Sequence, residues 1–144
     1  MIGDGRPSIV LDGLSVRYAG RPEPAIRDVD LSVEPGERVG IAGRTGAGKS
    51  TLALVAAGFI PRVVRARLTG GATVDGLPLT GTSGGPLLGK TGIVFSTPAN
   101  QLSASKLTVR EELAFGLENL GVPRTDMDAR IDAVLERLDI GHLA

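Results

Sequence analysis

The sequence of 144 residues has no cysteine and no tryptophan, and only one tyrosine and three phenylalanines. Without a thiol there is no disulfide framework, no thiolate metal site and no cysteine nucleophile, and a reducing compartment is permitted without being required. No apolar run approaches the roughly 20 residues that cross a bilayer, and Met1 to Pro7 lacks the basic and apolar blocks of a secretory signal, so a cytoplasmic protein is expected. An excess of one charge sign is missing too. With 16 basic residues against 16 acidic ones there is no bulk field to concentrate polyanions, so nucleic acid is not expected as a partner, although a local basic patch remains open. A domain of this size buries about two-thirds of its extended-chain surface, enough for one core and not two. What is abundant is glycine, 21 residues in a chain that is still 42% apolar, which points to tight backbone geometry rather than a linker.

The N-terminal part reads as antiparallel strands. Ser8 to Tyr18 alternates apolar and polar side chains around Asp12-Gly13, which predicts strand, tight turn, strand. After a Gly/Pro-rich loop from Arg17 to Pro24, Ala25 to Val33 predicts another strand, stopped by Glu34-Pro35-Gly36-Glu37, a turn that opens a hairpin into Arg38 to Ala42. That short apolar run is expected to be a buried strand. It leads into Gly43-Arg44-Thr45-Gly46-Ala47-Gly48-Lys49-Ser50-Thr51, after which Leu52 to Gly58 has helical composition. Further on, Ala72 to Val74 predicts a strand with an Asp75-Gly76 turn, Thr80 to Gly89 a flexible segment, Gly92 to Phe95 a buried strand and Ser96 to Lys106 a polar loop. The last third is helical. Thr108 with Glu111 forms a capping box ahead of Val109, Leu113, Leu117 and Leu120 on one face, and Thr125 with Asp128 repeats a weaker start signal before a second helix with Met127, Ile131, Val134, Leu135 and Leu138.

Gly43-x-x-x-x-Gly48-Lys49-Ser50 is a Walker A pattern, and the chemistry explains each position. A polyphosphate needs several amide N–H groups turned into one concavity, and so tight a wrap wants glycine where φ is positive or a Cβ would collide with phosphate oxygens, as at Gly46 and Gly48. Lys49 supplies a point charge for phosphate and Ser50 a hydroxyl for Mg²⁺, while the N-terminus of the following helix adds partial positive charge. Nucleoside triphosphate with Mg²⁺ is the ligand expected.

Walker A alone does not separate transport ATPases from GTPases or nucleotide kinases, so the flanks decide. Tyr18 lies 25 residues before Gly43, where an aromatic ring could stack on a base or simply pack at a strand end. With Leu14-Ser-Val-Arg-Tyr18, Ile26-Arg-Asp-Val-Asp-Leu-Ser-Val33, Glu34 through Thr51 and Gly92-Ile-Val-Phe95, the chain resembles the nucleotide-binding subunit of ATP-binding cassette (ABC) transporters. Gly58-Phe-Ile-Pro-Arg62, Pro98-Ala-Asn-Gln-Leu102 and Thr108 to Gly116 are most similar to the ATPases of energy-coupling-factor importers, which serve vitamins and metal ions.

The resemblance implies an α/β fold: a P-loop NTPase core of ABC type with an N-terminal antiparallel β-subdomain and the start of a helical subdomain, incomplete at the C-terminus. In one domain over 1–144, residues 8–42 would be the β-subdomain and the strand leading to the loop, and 43–58 the Walker A loop and helix. The remaining strands would take 59–95, the Q-loop region 96–107 and the start of the helical subdomain 108–144. Tyr18 would stack on adenine. Gly43, Arg44, Thr45, Gly46, Ala47, Gly48, Lys49, Ser50 and Thr51 would hold ATP, with Ser50 on Mg²⁺. Implied partners are a second ATPase subunit and a transmembrane transporter subunit, which would place the protein peripherally on the inner face of the membrane.

Two departures stand out. The position after Phe95, glutamine in the family, is Ser96, whose shorter hydroxyl would reach Mg²⁺ only through water, and Gln101 five residues on matches a different family position. The family's signature motif, Walker B aspartate, catalytic glutamate and switch histidine have no counterpart before Ala144, and His142 matches no switch position. No catalytic residue is therefore expected within the chain, and a sheet lacking its Walker B strand would leave apolar surface exposed. Competing readings are a soluble P-loop phosphotransferase, for which Arg62, Arg65 and Arg67 are the only acceptor-site cluster, and a nonhydrolytic nucleotide-binding regulatory module.

Overall fold

A computed structural model of the chain describes residues 7–79, Leu87 and residues 90–144. It divides into two compact units, Met1–Ile93 and Val94–Ala144. The expected flexible segment from Thr80 to Gly89 lies, apart from Leu87, outside the described residues.

The first unit is built on an antiparallel sheet of strands β1 (Ile9–Tyr18), β2 (Ile26–Val33), β3 (Ala66–Val74) and β4 (Leu77–Pro78) in the order β2-β1-β3-β4. Helix α1 (Lys49–Ala56) and the short segment α2 (Phe59–Arg62) lie between β2 and β3 in sequence. The Asp12-Gly13 step does not divide two strands. It is an irregularity inside β1, where the register with β2 shifts between Leu11 and Leu14 and that with β3 between Asp12 and Ser15. The side-chain pattern explains why: Leu11 and Leu14 are three residues apart, so a strictly alternating strand would put them on opposite faces. One extra residue restores the phase, and Leu11, Leu14 and Val16 are all buried. Side chains of β1 and β2 serve the freed backbone, the Gly13 N–H donating to Asp30 Oδ1 at 2.7 Å and the Asp28 N–H to Ser15 Oγ at 2.9 Å.

The core joins the inner sheet face to the helices. Leu14, Val16, Val55 and Ile60 have no measurable exposure, and Ile26, Ala72, Val74, Leu79 and Leu87 complete the cluster. Burying each large aliphatic side chain stabilises by about 1.5–3 kcal/mol. The predicted Asp75-Gly76 turn is present and joins β3 to β4, with both residues at positive φ as a two-residue hairpin turn requires.

Two predicted strands do not form. Residues 38–42 and 92–95 carry no ladder, and within them Val39, Ile41, Val94 and Phe95 are 42%, 46%, 85% and 39% exposed. The turn before the first is real, the Glu37 N–H donating to the Glu34 carbonyl at 3.0 Å, yet it opens no hairpin. The sequence signal for a doubly buried strand is an apolar run, but such a strand is stable only between neighbours on both edges, and the antiparallel sheet offers these segments none.

The second unit holds α3 (Val109–Asn119) and α4 (Arg124–Arg137). The capping box is formed as expected, with Glu111 N–H to Thr108 Oγ1 and the Glu111 carboxylate accepting from the Thr108 N–H at 3.1 Å. For α4 the weaker signal is not used: Pro123 is the N-cap, the helix begins at Arg124, and Thr125 donates instead to the adjacent Asp126. Arg110 of α3 pairs with Asp128 and Asp132 of α4, which raises its affinity for the proton, and Ile131 and Leu135 are the buried residues of α4.

Candidate functional site

The nine residues from Gly43 to Thr51 follow a turn at Thr45-Gly46 straight into α1, so the loop amides and the first helical N–H groups are consecutive in the chain. Gly46 has φ +83 with open space where a Cβ would stand, so its requirement for glycine is conformational. Gly48 is bound twice over. Its φ is +92, and a Cβ there would meet Ile26 Cγ2 and come within 2.6 Å of the Ala25 carbonyl oxygen. The neighbour that forbids a side chain at Gly48 is therefore the start of β2, a constraint from the fold that the sequence reading assigned to phosphate.

Gly48 is also the N-cap of α1 and offers no side chain to it, and no acidic residue lies in the first turn. The leading N–H groups of this helix are left for some other acceptor, with the partial positive charge of the helix end behind them. Lys49, the first helical residue, folds back over the loop and donates from Nζ to the carbonyls of Gly43 at 2.8 Å and Arg44 at 2.9 Å. Its ammonium is thus held against the backbone of the loop. Ser50 is exposed at the helix start and Thr51 is buried. Donors, cation and hydroxyl fit a magnesium-bound polyphosphate; nothing in the loop is acidic enough to repel one.

The fold brings Tyr18 to this loop. At the end of β1 its ring packs against the core, and its hydroxyl lies 3.0 Å from Thr51 Oγ1. Ser96 belongs to the second unit, where it is exposed directly after Phe95. Gln101 accepts a hydrogen bond from the Phe95 N–H through Oε1 at 2.8 Å, so its side chain closes the loop around Ser96. That use is what sequence reasoning missed; the five-residue spacing with proline at 98 was the available signal. His142 is exposed in a short turn, Gly141–Leu143, and no cluster of metal-binding side chains occurs among the described residues.

Residues 26–144 match the ABC transporter family. Among curated relatives, the chain is 42% identical over 123 residues to a protein of Pyrococcus abyssi described as an ABC transporter ATP-binding protein, covering 85% of this chain and 43% of that one. It is 37% identical over 136 residues to an energy-coupling factor transporter ATP-binding protein of Halalkalibacterium halodurans, covering 94% and 46%. Over 136 residues it is 35% identical to a protein of Bacillus subtilis described as an HMP/thiamine import ATP-binding protein, covering 94% and 24%. The chain spans less than half the length of each of these relatives.

Proposed function

The chain belongs to the ABC transporter ATP-binding family, and from that premise we propose that residues 43–51 bind the phosphates of ATP with Mg²⁺ while Tyr18 receives the adenine. One observation carries the reading: the Lys49 ammonium is held against the backbone of a glycine loop that runs directly into an uncapped helix N-terminus. The amides of Gly43 to Lys49 would hold phosphate oxygens, Lys49 would place its charge on them and Ser50 would turn its hydroxyl to the metal. Bound Mg²⁺ would supply neutralisation of the developing phosphate charge.

In the whole protein this site would energise a transporter, with ATP hydrolysis coupled to the import of a vitamin or a metal ion. Support comes from relatives named for energy-coupling factor transport and HMP/thiamine import. The partners would be a second ATPase subunit and a membrane-embedded transporter subunit, reached from the cytoplasmic side. Among the described residues no helix is long and apolar enough to cross a membrane. Ser96, where the family has glutamine, would leave binding intact and slow the steps that follow it.

Calorimetric titration of ATP with and without Mg²⁺ tests the binding reading. Affinity should depend on Mg²⁺ and fall about 10–100-fold in Lys49→Ala, the effect of losing one charge-assisted contact to phosphate. Equal affinity for the two proteins would overturn it. The acceptor of the γ-phosphoryl group, followed with labelled ATP, tests the transport reading, since transfer to any acceptor but water would favour a phosphotransferase instead.

A further inference from the structure

The sheet face turned away from the core carries a concentration of arginine that the nucleotide loop does not use. In the β1–β3 ladder Arg17 stands directly across from Arg67, and the next pair on the same face is Ser15 with Thr69. Like charges placed opposite each other weaken a ladder, so this arrangement works against the sheet that contains it. Arg65 precedes β3 in the same alternation as Arg67, and Arg21 follows β1 in the loop whose N–H returns to the Tyr18 carbonyl at 3.1 Å. Arg27 of β2 is matched by Glu23 at 2.7 Å. Among the described residues no carboxylate lies within ion-pair distance of Arg17, Arg21, Arg65 or Arg67. A chain of zero net charge has placed four unbalanced cations on one patch.

The patch is concave. One cavity of about 430 Å³ is walled by Pro22, Pro24, Arg27 and Thr69, and a second of about 400 Å³ by Arg21 and Arg65, while Arg17 and Arg67 line both. Both are shallow and open to solvent, so a small polyanion could reach the arginines directly. Tyr18 is the only aromatic residue at either cavity, at the edge of the second, and no residue of 43–51 lines either one, so the arginines and not a stacked ring define the patch. A guanidinium binds two oxygens of a carboxylate or phosphate at once through parallel N–H donors, and several together favour the more highly charged phosphate over a lone carboxylate.

We propose that this outer face of the β-sheet is a second anion site, separate from the Walker A loop, that binds a small polyanion carrying two or more phosphate groups. Arg17 and Arg67 form its centre because both cavities share them, and Arg21 and Arg65 close one side. Arg62, the third member of the arginine row in the sequence, lies outside the lining and takes no part.

The test uses inorganic pyrophosphate as the probe and the full chain carrying Lys49→Ala, so that the Walker A loop no longer competes. Titration calorimetry should show pyrophosphate binding that weakens with salt, exceeds the affinity for orthophosphate, and drops at least about tenfold on adding Arg17→Ser with Arg67→Thr. Pyrophosphate should also raise the melting temperature of the Lys49→Ala protein and not that of the triple variant. Should the ladder change disturb folding, Arg21→Gln with Arg65→Gln, both outside the strands, must give the same direction of loss. Binding abolished by Lys49→Ala alone, or unaffected by either arginine pair, would overturn the proposal. The nucleotide reading stands or falls separately, on ATP affinity in the chain that retains Lys49.

Discussion

The Tyr18 hydroxyl and Thr51 Oγ1 lie 3.0 Å apart across 33 positions of sequence, joining the end of β1 to the first turn of α1. Thr51 is the buried polar side chain of the described core, 6% exposed, and this bond satisfies it. The residue expected to stack on adenine is thereby tied to the helix that follows the phosphate loop. Thr51→Val and Tyr18→Phe should each lower stability by about 0.5–1.5 kcal/mol, read by thermal unfolding. The two roles of Tyr18 then separate: Tyr18→Phe keeps the ring and should keep ATP affinity, whereas Tyr18→Ala should lose about tenfold, as the loss of one base-stacking ring does. An alanine variant that is less stable but binds ATP normally would make Tyr18 a packing residue alone.

Gly48→Ala should damage the fold before it damages the site. Its side chain would enter at φ +92 and meet the Ala25 carbonyl at 2.6 Å, so the junction of β2 and α1 must shift. A destabilisation of about 1–3 kcal/mol is expected from the backbone strain alone. Gly46→Ala meets no neighbour within 4 Å and carries only the conformational penalty, so it should melt closer to the parent protein. Chemical denaturation of the two variants side by side checks the order.

The capping box makes α3 sensitive to acid. The Glu111 carboxylate accepts N–H bonds from Leu107 at 3.0 Å and Thr108 at 3.1 Å, which holds its pKa below the ordinary 4.5. A carboxylate whose folded pKa is lowered stabilises above its unfolded value and loses that contribution as pH falls through the folded one. The helical signal of residues 109–119 should therefore be constant at neutral pH and fray below the carboxylate range. Glu111→Gln should flatten this dependence, and Thr108→Ala should lower stability by about 0.5–2 kcal/mol at neutral pH.

How much was legible depends on whether a signal is local. The glycine loop, the Asp75-Gly76 turn and the box of Thr108 with Glu111 were readable because a few consecutive residues determine them. The Asp12-Gly13 step reads as a turn in the sequence because the two residue types suit one. Only the phase of Leu11 against Leu14 reveals that the strand continues, and that clue needs both partner strands to interpret. The arginines at 17 and 67 are 50 positions apart, so nothing short of the β1–β3 register could make them neighbours. The start of α4 was misplaced by only a few residues, where Pro123 preset the backbone more firmly than Thr125 could cap it.

The unformed strands lead to the last prediction. Val39, Ile41, Val94 and Phe95 stand in segments without a ladder, and Val94 is 85% exposed. Exposed apolar segments that belong to no ladder are templates for pairing with another chain. The chain of 144 residues should therefore self-associate with rising concentration, seen as light scattering and as binding of a hydrophobic dye. Ile41→Lys and Val94→Lys each put a charge into one segment without touching the core, so both should suppress association while leaving the melting temperature nearly unchanged. If scattering persisted in the double variant, the sticking surface would lie elsewhere, and the exposed leucines of the helical unit, Leu120 and Leu138, would be the next to change.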